Sequence, residues 1–455
     1  MIPELAERWT AALQGETGAR DAALLRRRTG ELGLVYGERP VCQVLRPLFV
    51  PRSAYEDLIR RGELLAGAIH GAMEAALRDD GLMAALGFDE VEKRIIGADR
   101  GFGAADLVGR LDALPAPGRS PVFIEYNGES PGGLGFGDML GLVFEEMETW
   151  EHLEGSKRFD RISVVPSVIE AFLEGYRLWC RRLHKEPVEH PKVAIVDVAD
   201  VPTRSEFEIF RNAFELRGST TRIVSEDQVT IEGDRLLCGD FEPNIIYRRL
   251  VTMDILARSG GRHALIEAAR RQLAFVGCGF EGYGLCSKGH FAVLSDPTLR
   301  PSSLSDEVVA MLETSIPWTR LVRDVFTNGP GERSREEPLE TLVLREQKHL
   351  VLKASRGYGG RDVILGWKTS RKDWRTAWET ALQGSWIVQE RVDLPQAHFP
   401  VWTDHGIEDV TLHYDLAPYM IAGQCHGLGV RLSSNEILNV AAGRGSAVPA
   451  LLVAD

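Results

Sequence analysis

The sequence predicts a mixed α/β (α+β) protein of two or three domains, and three observations carry that expectation. Residues 1 to about 100 place their apolar residues mostly at helical spacing. Between Lys192 and Leu250, short buried-type runs alternate with an amphipathic helical stretch, which implies a parallel sheet with a crossover helix. From His349 to Leu394, a strand, a glycine-rich turn, a second strand, a helix and a third strand follow one another. A chain of 455 residues, 44% hydrophobic and 26% charged, has ample core for this arrangement.

In the N-terminal region ELAERWTAAL, DAALLRRRTGEL, the long run from Ser53 to Gly87 and DEVEKRII read as helices. VCQVLRPLFVP reads as a strand, and its Arg46 as a surface or core-anchoring residue rather than a ligand contact. LVGRLDAL and PVFIEYN then read as two strands joined by a proline- and glycine-rich turn. Glu125 and Asn127 stand i, i+2 at the end of the second, so their side chains share one face. Two hard oxygen donors on one face suit magnesium, with phosphates and water completing the octahedron, and Asp112 on the preceding strand can supply a third oxygen. E-x-N is also an ordinary strand ending, and both readings stand at this point. The GESPGG that follows is a functional backbone turn or simply a loop.

VVPSVIEAFLEGYRLWCRRLH is a helix, and KEPVEHP a linker into a new unit. KVAIVDV, SEFEIFRNAFELRG, TTRIVS, the hairpin VTIEGDRLLCG and PNIIYRRL give strand, helix, strand, hairpin, strand, a small Rossmann-like pattern over about residues 189 to 285. It has no GxGxxG, so no dinucleotide is assigned to it. Arg248 and Arg249 end its last strand, where open α/β sheets bind ligands. They are a fork for a ligand carboxylate or a solvated strand end.

Further on, GYGLCSKGHFAVLSD puts Lys288 near a turn, PSSLSDEVVAMLETSIPWTRLVRDVF is expected to be mainly helical, and TNGPGERSREEP is a polar connector. HLVLKAS carries Lys353 into the glycine-rich SRGYGGRD. A lysine entering such a hairpin suits a nucleoside triphosphate, because the ammonium meets phosphate charge and glycines let backbone N–H groups approach the oxygens. A lysine beside glycines is by itself an ordinary hairpin feature. A dinucleotide loop would need a helix after the glycines, and a strand follows instead. WIVQERV, with Gln389 and Glu390, offers an edge for an adenine and a ribose. DVTLHYDLAPYMIAGQCHGLGVRLSS reads as a hairpin turning at Ala422-Gly423, and Arg431 and Asn439 are the polar residues of this region closest to the site strands.

Composition narrows the partners. Net charge is −13 without a long basic run, which disfavours nucleic acid and anionic membranes. The N-terminus is not a signal peptide, and no run of eighteen apolar residues exists. Six scattered cysteines without CxxC read as reduced thiols, and eleven histidines without HxxxH or HxH give no zinc site. A cytoplasmic location is expected.

Three segments together resemble the circularly permuted ATP-grasp family, related to the synthetase part of glutathionylspermidine synthase and to eukaryotic glutathione synthetase. RLDALPAPGRSPVFIEYN resembles its metal-carboxylate strand pair, VLKASRGYGGRDVILG with WIVQERV its lysine, lid and adenine-side hinge, and YMIAGQCHGLGVRLSSNEILNVAAGRGSA its C-terminal hairpin. LCSKGHFAVLSDP and SIPWTR are similar to its middle region, so the resemblance spans roughly residues 40 to 455. The E-x-N strand precedes the lid here, which is the permuted order.

The resemblance implies a helical N-terminal region plus metal-carboxylate part over residues 1–188, an inserted Rossmann-like, pre-ATP-grasp unit over 189–285, and the lid with the rest of the core over 286–455. It also implies an ATP-dependent carboxylate–amine ligase that forms an amide bond through an acyl phosphate, using ATP and Mg²⁺ on small-molecule carboxylate and amine substrates. Lys353, Lys288 and the lid glycines Gly357, Gly359 and Gly360 would hold phosphates, and Gln389, Glu390 and Val392 the adenine and ribose. Asp112, Glu125 and Asn127 would hold the metal, and Arg431 with Lys353 would act on the transferring phosphoryl. GESPGG and the residues Arg356, Tyr358 and Arg361 among the lid glycines depart from the family, so the substrate-facing residues do not carry over. A non-catalytic nucleotide- or partner-binding protein, or a phosphotransferase, on the same fold is the alternative.

Overall fold

The computed structural model describes residues 2–98, 107–116, 118–154, 159–331, 335–357, 362–438 and 445–455. Strands from opposite halves of the chain build its largest sheet, in the order Leu48–Pro51, Ser446–Val453, Gln424–Ser433, Gly406–Ile421, Val108–Leu114, Val122–Asn127. Gln396–Thr403 pairs with Gly406–Ile421 and Phe159–Arg161 with Ser446–Val453. All pairings are antiparallel except that of Ser446–Val453 with Leu48–Pro51. The Gly406–Ile421 and Gln424–Ser433 strands meet at Ala422 and Gly423, with φ of 48° and 82°, the left-handed pair that a two-residue hairpin turn requires. The helix Arg52–Ala76 buries Leu58, Leu65, Ile69 and Met73, a stripe at three- and four-residue spacing, in the core beneath this sheet.

The middle of the chain forms a four-stranded sheet in the order Phe275–Gly277, Ile245–Arg248, Val193–Asp197, Thr221–Ser225, parallel throughout. Val193–Asp197 is buried along its length, as a strand covered on both faces must be. Phe172, Phe207, Phe210 and Phe214, from the helices Val165–Arg182 and Arg204–Leu216, cover one face, and the helices Thr252–Ser259 and Ala264–Arg271 contribute to the core of the other.

A second four-stranded sheet, antiparallel, runs Thr319–Leu321, Trp386–Glu390, Leu350–Ala354, Val363–Leu365. The helix Arg371–Ala381 lays Trp374 and Trp378 on Leu350, Leu352 and Val388. Among the described residues no helix is long and apolar enough to cross a membrane.

Several expectations are corrected. Only Leu48–Pro51 of VCQVLRPLFVP is a strand. Arg46 is buried before it, donating to the His398 carbonyl at 2.6 Å and stacking over Phe399 at 4.4 Å, so it anchors the core. The helix expected through residue 326 ends at Ser315, because Pro317 disfavours helix at Ile316 and cannot donate within one, and Thr319–Leu321 becomes a strand. The polar connector carries the hairpin Phe326–Asn328 with Glu336–Pro338. The helix Leu134–Glu145 was hidden by its glycines, and the strand Gln396–Thr403 by its proline.

Candidate active site

A β-bulge aims the first set of functional side chains. Asp112 stands opposite Glu125, but Ala113 stands opposite Phe123, so Ile124 is an extra residue in its strand. An unbroken alternation would put Phe123 on the face of Glu125. With the bulge, Phe123 and Tyr126 enter the hydrophobic core while Ile124, Glu125 and Asn127 line a cavity of about 400 Å³. Lys353 reaches the same cavity by simple alternation, since Leu350 and Leu352 face the core while Val351 and Lys353 face the cavity.

Across the middle of the cavity runs a belt of charge. Lys288, 6% exposed, precedes the helix Gly289–Ser295. Its ammonium lies 2.8 Å from Glu125 Oε1 and donates to the Gly357 carbonyl at 2.9 Å, tying the strand Val122–Asn127 to the base of the glycine-rich turn. Lys353 donates to Gln389 Oε1 at 2.7 Å. Burial pushes its ammonium down to about 8, an effect that Glu125 and Asp112 oppose and Lys288 reinforces. Asp112 lies between two guanidiniums, 2.8 Å from Arg110 Nε and 2.9 Å from Arg431. Burial works to raise its carboxyl, and the two arginines override that and hold it well below the usual carboxylate range. Arg431 is also gripped by the buried Asp415, to which its backbone N–H donates at 3.2 Å and its Nε at 3.0 Å.

The nucleotide side differs from expectation in one residue. Gln389 is 1% exposed and both ends of its amide are engaged, Oε1 by Lys353 and Nε2 by Thr319 Oγ1 at 3.1 Å. Its side chain therefore positions Lys353 instead of meeting an adenine. Val351, Val363, Leu365, Trp367, Val392 and Leu438 give the cavity an apolar wall, and Glu390 lines the cavity with them. Arg391 stacks over Trp367 at 4.3 Å.

Asp112, Glu125, Asn127, Lys288, Lys353, Gln389, Glu390, Val392 and Arg431 thus come to one cavity, and Gly357 touches it through Lys288. Gly359, Gly360, Tyr358, Arg361 and Asn439 lie outside the described residues. Among the described residues no group of three or more His, Cys, Asp or Glu side chains is arranged to hold a metal ion. Asp112 is committed to arginines, whereas Asn127 carries a buried amide nitrogen without a hydrogen-bond partner. A half-turn of that amide would put its carbonyl oxygen where the unpartnered nitrogen stands.

Arg248 and Arg249 are neither a ligand fork nor a solvated strand end. Arg248 is fully buried, 2.5 Å from Glu129, and donates to the carbonyls of Cys278, Gly279 and Leu250. Arg249 pairs with Glu206 at 3.3 Å and donates to the Pro131 carbonyl. Glu206 Oε1 in turn accepts the N–H groups of Gly133 and Gly135. GESPGG is thus bolted to the parallel-sheet unit, and only Gly132 and Gly133 of it line the cavity. Sequence reasoning missed Arg110 and Asp415. Arg110 had a signal, its i, i+2 spacing from Asp112 on a predicted strand, whereas Asp415 needed the hairpin register that sets it opposite Arg431.

No family model matches the sequence, and no curated protein matches it. Among solved structures, the chain is similar to a glutathione synthetase-like effector (GSS30) from Globodera pallida in its apo form, with a TM-score of 0.59 and 12% identity over 95% of this chain and 96% of that one. It also matches a candidate gamma-glutamylcysteine synthetase from Methylobacillus flagellatus (TM-score 0.42, 12% identity, 76% of this chain and 83% of that one). A third match is a RimK-domain ATP-grasp protein from Sphaerobacter thermophilus (TM-score 0.26, 11% identity, 56% and 89%). The first likeness runs through nearly the whole of both chains and is a likeness of fold alone: this chain shares the fold of that glutathione synthetase-like effector.

Proposed function

We propose that the protein is an ATP-dependent carboxylate–amine ligase acting through an acyl phosphate, on a circularly permuted ATP-grasp core. In this reading residues 1–188 and 286–455 form the core and 189–285 a Rossmann-like insertion, in keeping with the large sheet, which draws strands from both outer stretches. The observation that carries the proposal is the convergence of Lys353, Lys288, Glu125, Asn127 and Arg431, from separate elements, on one cavity with an apolar wall.

The chemistry has two displacements. A carboxylate oxygen of the substrate attacks the γ-phosphorus of ATP, and the bond to the β,γ-bridging oxygen breaks to release ADP. An amine nitrogen then attacks the acyl carbon, the carbon–oxygen bond breaks, and inorganic phosphate leaves. Lys353, oriented by Gln389, and Lys288 supply cationic N–H donors for the phosphates. Arg431, fixed by Asp112 and Asp415, presents a pre-oriented guanidinium to the phosphoryl group in transfer. Glu125 and Asn127 fit a magnesium ion with phosphate oxygens and water. The ion would neutralise charge on the phosphates. Asp112 fits it less well while both arginines hold its oxygens.

ADP release from ATP with pools of carboxylates and amines tests the proposal. Release that requires both substrates and Mg²⁺ is expected. Phosphoryl transfer to an acceptor without any amine would make the protein a phosphotransferase, and nucleotide binding without turnover on any pool would make it a binding protein.

A further inference from the structure

We propose that the end of the cavity away from the nucleotide side receives a compact apolar group of the organic substrate, and that Gly137 sets how large that group can be. The word substrate rests on the ligase reading; the pocket itself does not.

The helix Leu134–Glu145 contains three glycines. Two are explained by packing: a Cβ at Gly135 would stand 3.2 Å from Glu206 and Ile209, and one at Gly141 only 2.5 Å from Arg161. At Gly137 a Cβ would meet nothing within 4 Å among the described residues, and Gly137 lines the cavity. A glycine inside a helix destabilises it relative to alanine. No neighbouring atom demands it here, so what its missing side chain leaves open is the cavity.

The surroundings state what the space suits. Tyr36, Val41, Phe136, Thr203 and Val448 line the cavity with Gly137, and backbone bonds from Gly37 to the Pro202 carbonyl and from Ala447 to the Val41 carbonyl set Tyr36 near Thr203 and Val41 near Val448. Arg110 is committed to Asp112 and, at 3.3 Å, to the Gly132 carbonyl. The carboxylates nearest to these residues are already paired: Asp112 with Arg110 and Arg431, and Glu206, beside Gly132, with Arg249. A polyamine tail would have to compete with arginines for these carboxylates and would lose hydration. An apolar group gains from burial against the same walls. The substrate class is therefore an amino acid or related acid with a compact apolar side chain, not a polycation.

The test uses the full chain with Gly137→Ala, Gly137→Val and Gly137→Leu, checked for fold by circular dichroism. Binding of alanine, valine, leucine, phenylalanine and spermidine is measured by ligand-observed NMR in the presence of ADP and Mg²⁺. Binding of the larger apolar amino acids to the wild type is expected. Their affinity should fall at least about tenfold in Gly137→Leu, larger members losing first along the series, with ADP affinity unchanged. Spermidine binding more tightly than every apolar member would overturn the proposal. So would no binding of any apolar member, equal affinities in Gly137→Leu, or a loss of ADP affinity in that variant. If the wild type fails to bind ADP, the nucleotide reading falls by itself; the series is then run without nucleotide and judged by the remaining criteria.

Discussion

Raising the pH through 8 should strip the nucleotide site of a charge and make ATP binding take up a proton. Lys353 is buried, its amine is hydrogen-bonded to the neutral Gln389, and burial lowers its ammonium from 10.5 to about 8. A triphosphate beside it favours the charged form and returns it towards its ordinary range. At about pH 9, roughly a tenth of the free protein carries the charge, so each ATP bound should take up about 0.9 proton, against about 0.1 at pH 7. Apparent affinity should fall about tenfold per pH unit above 8, up to about 3 kcal/mol if the bound ammonium recovers its full range. Folding should show the opposite trend. Between 8 and 10.5 the unfolded chain holds this proton and the folded chain does not, so the lysine's contribution makes stability rise with pH across that window. Titration calorimetry with ATP and Mg²⁺, in two buffers of different ionisation enthalpy, measures the proton uptake directly. Lys353→Arg keeps its charge throughout and should lose the slope. No proton uptake near pH 9, or the same slope in Lys353→Arg, would refute the assignment.

Two further outcomes follow from other contacts. Glu125→Gln should retain measurable ATP affinity yet lose about 10²–10³ in single-turnover ADP formation, partly recovered by raised Mg²⁺; wild-type turnover with an intact fold would remove Glu125 from the metal site. Arg248→Ala leaves Glu129 buried without its cation and should lower unfolding free energy by about 3–5 kcal/mol in urea, and a loss under about 1 kcal/mol would mean the pair does not hold the loop.

Local pattern made the elements near the site legible in advance. Strand spacing put Glu125 and Asn127 side by side, and the lysine that enters the glycine-rich turn, Lys353, lines the same cavity. What could not be read depends on pairing between distant segments. The E-x-N strand is aimed by a bulge that exists only against Val108–Leu114. Gln389 looked like an adenine contact because a polar pair ends the strand that follows the glycine-rich turn, and became a support for Lys353 once Thr319, from a stretch expected to be helical, supplied its second partner. Arg248 and Arg249 sit where ligands bind in open sheets, but here the GESPGG loop fills that crevice with Glu129. Gly132 and Gly133 read as loop residues, and their neighbour Gly137 read as nothing at all, because a glycine kept for empty space leaves no periodic mark.

The partners of the cavity charges suggest how a nucleotide could enter. Among the described residues five cations and five anions line it: Arg110, Lys288, Lys353, Arg391 and Arg431 against Asp112, Glu125, Glu390, Asp415 and Glu436. Lys288 is matched to Glu125, and Arg110 and Arg431 to Asp112 and Asp415. Lys353 is held instead by an uncharged amide. A triphosphate arriving alone would meet Lys353 ready for it, and would have to draw Lys288, Arg110 and Arg431 away from carboxylates, at the expense of leaving those carboxylates buried and unpaired. A divalent cation arriving with it changes the exchange. If it takes Glu125, Lys288 is released to the phosphates without stranding an anion, and the Gly357 carbonyl at the base of the glycine-rich turn loses the same partner. Metal, lysine and turn are thereby coupled through one ammonium, which is the physical reason to expect that ATP binds this protein far better with Mg²⁺ than without it.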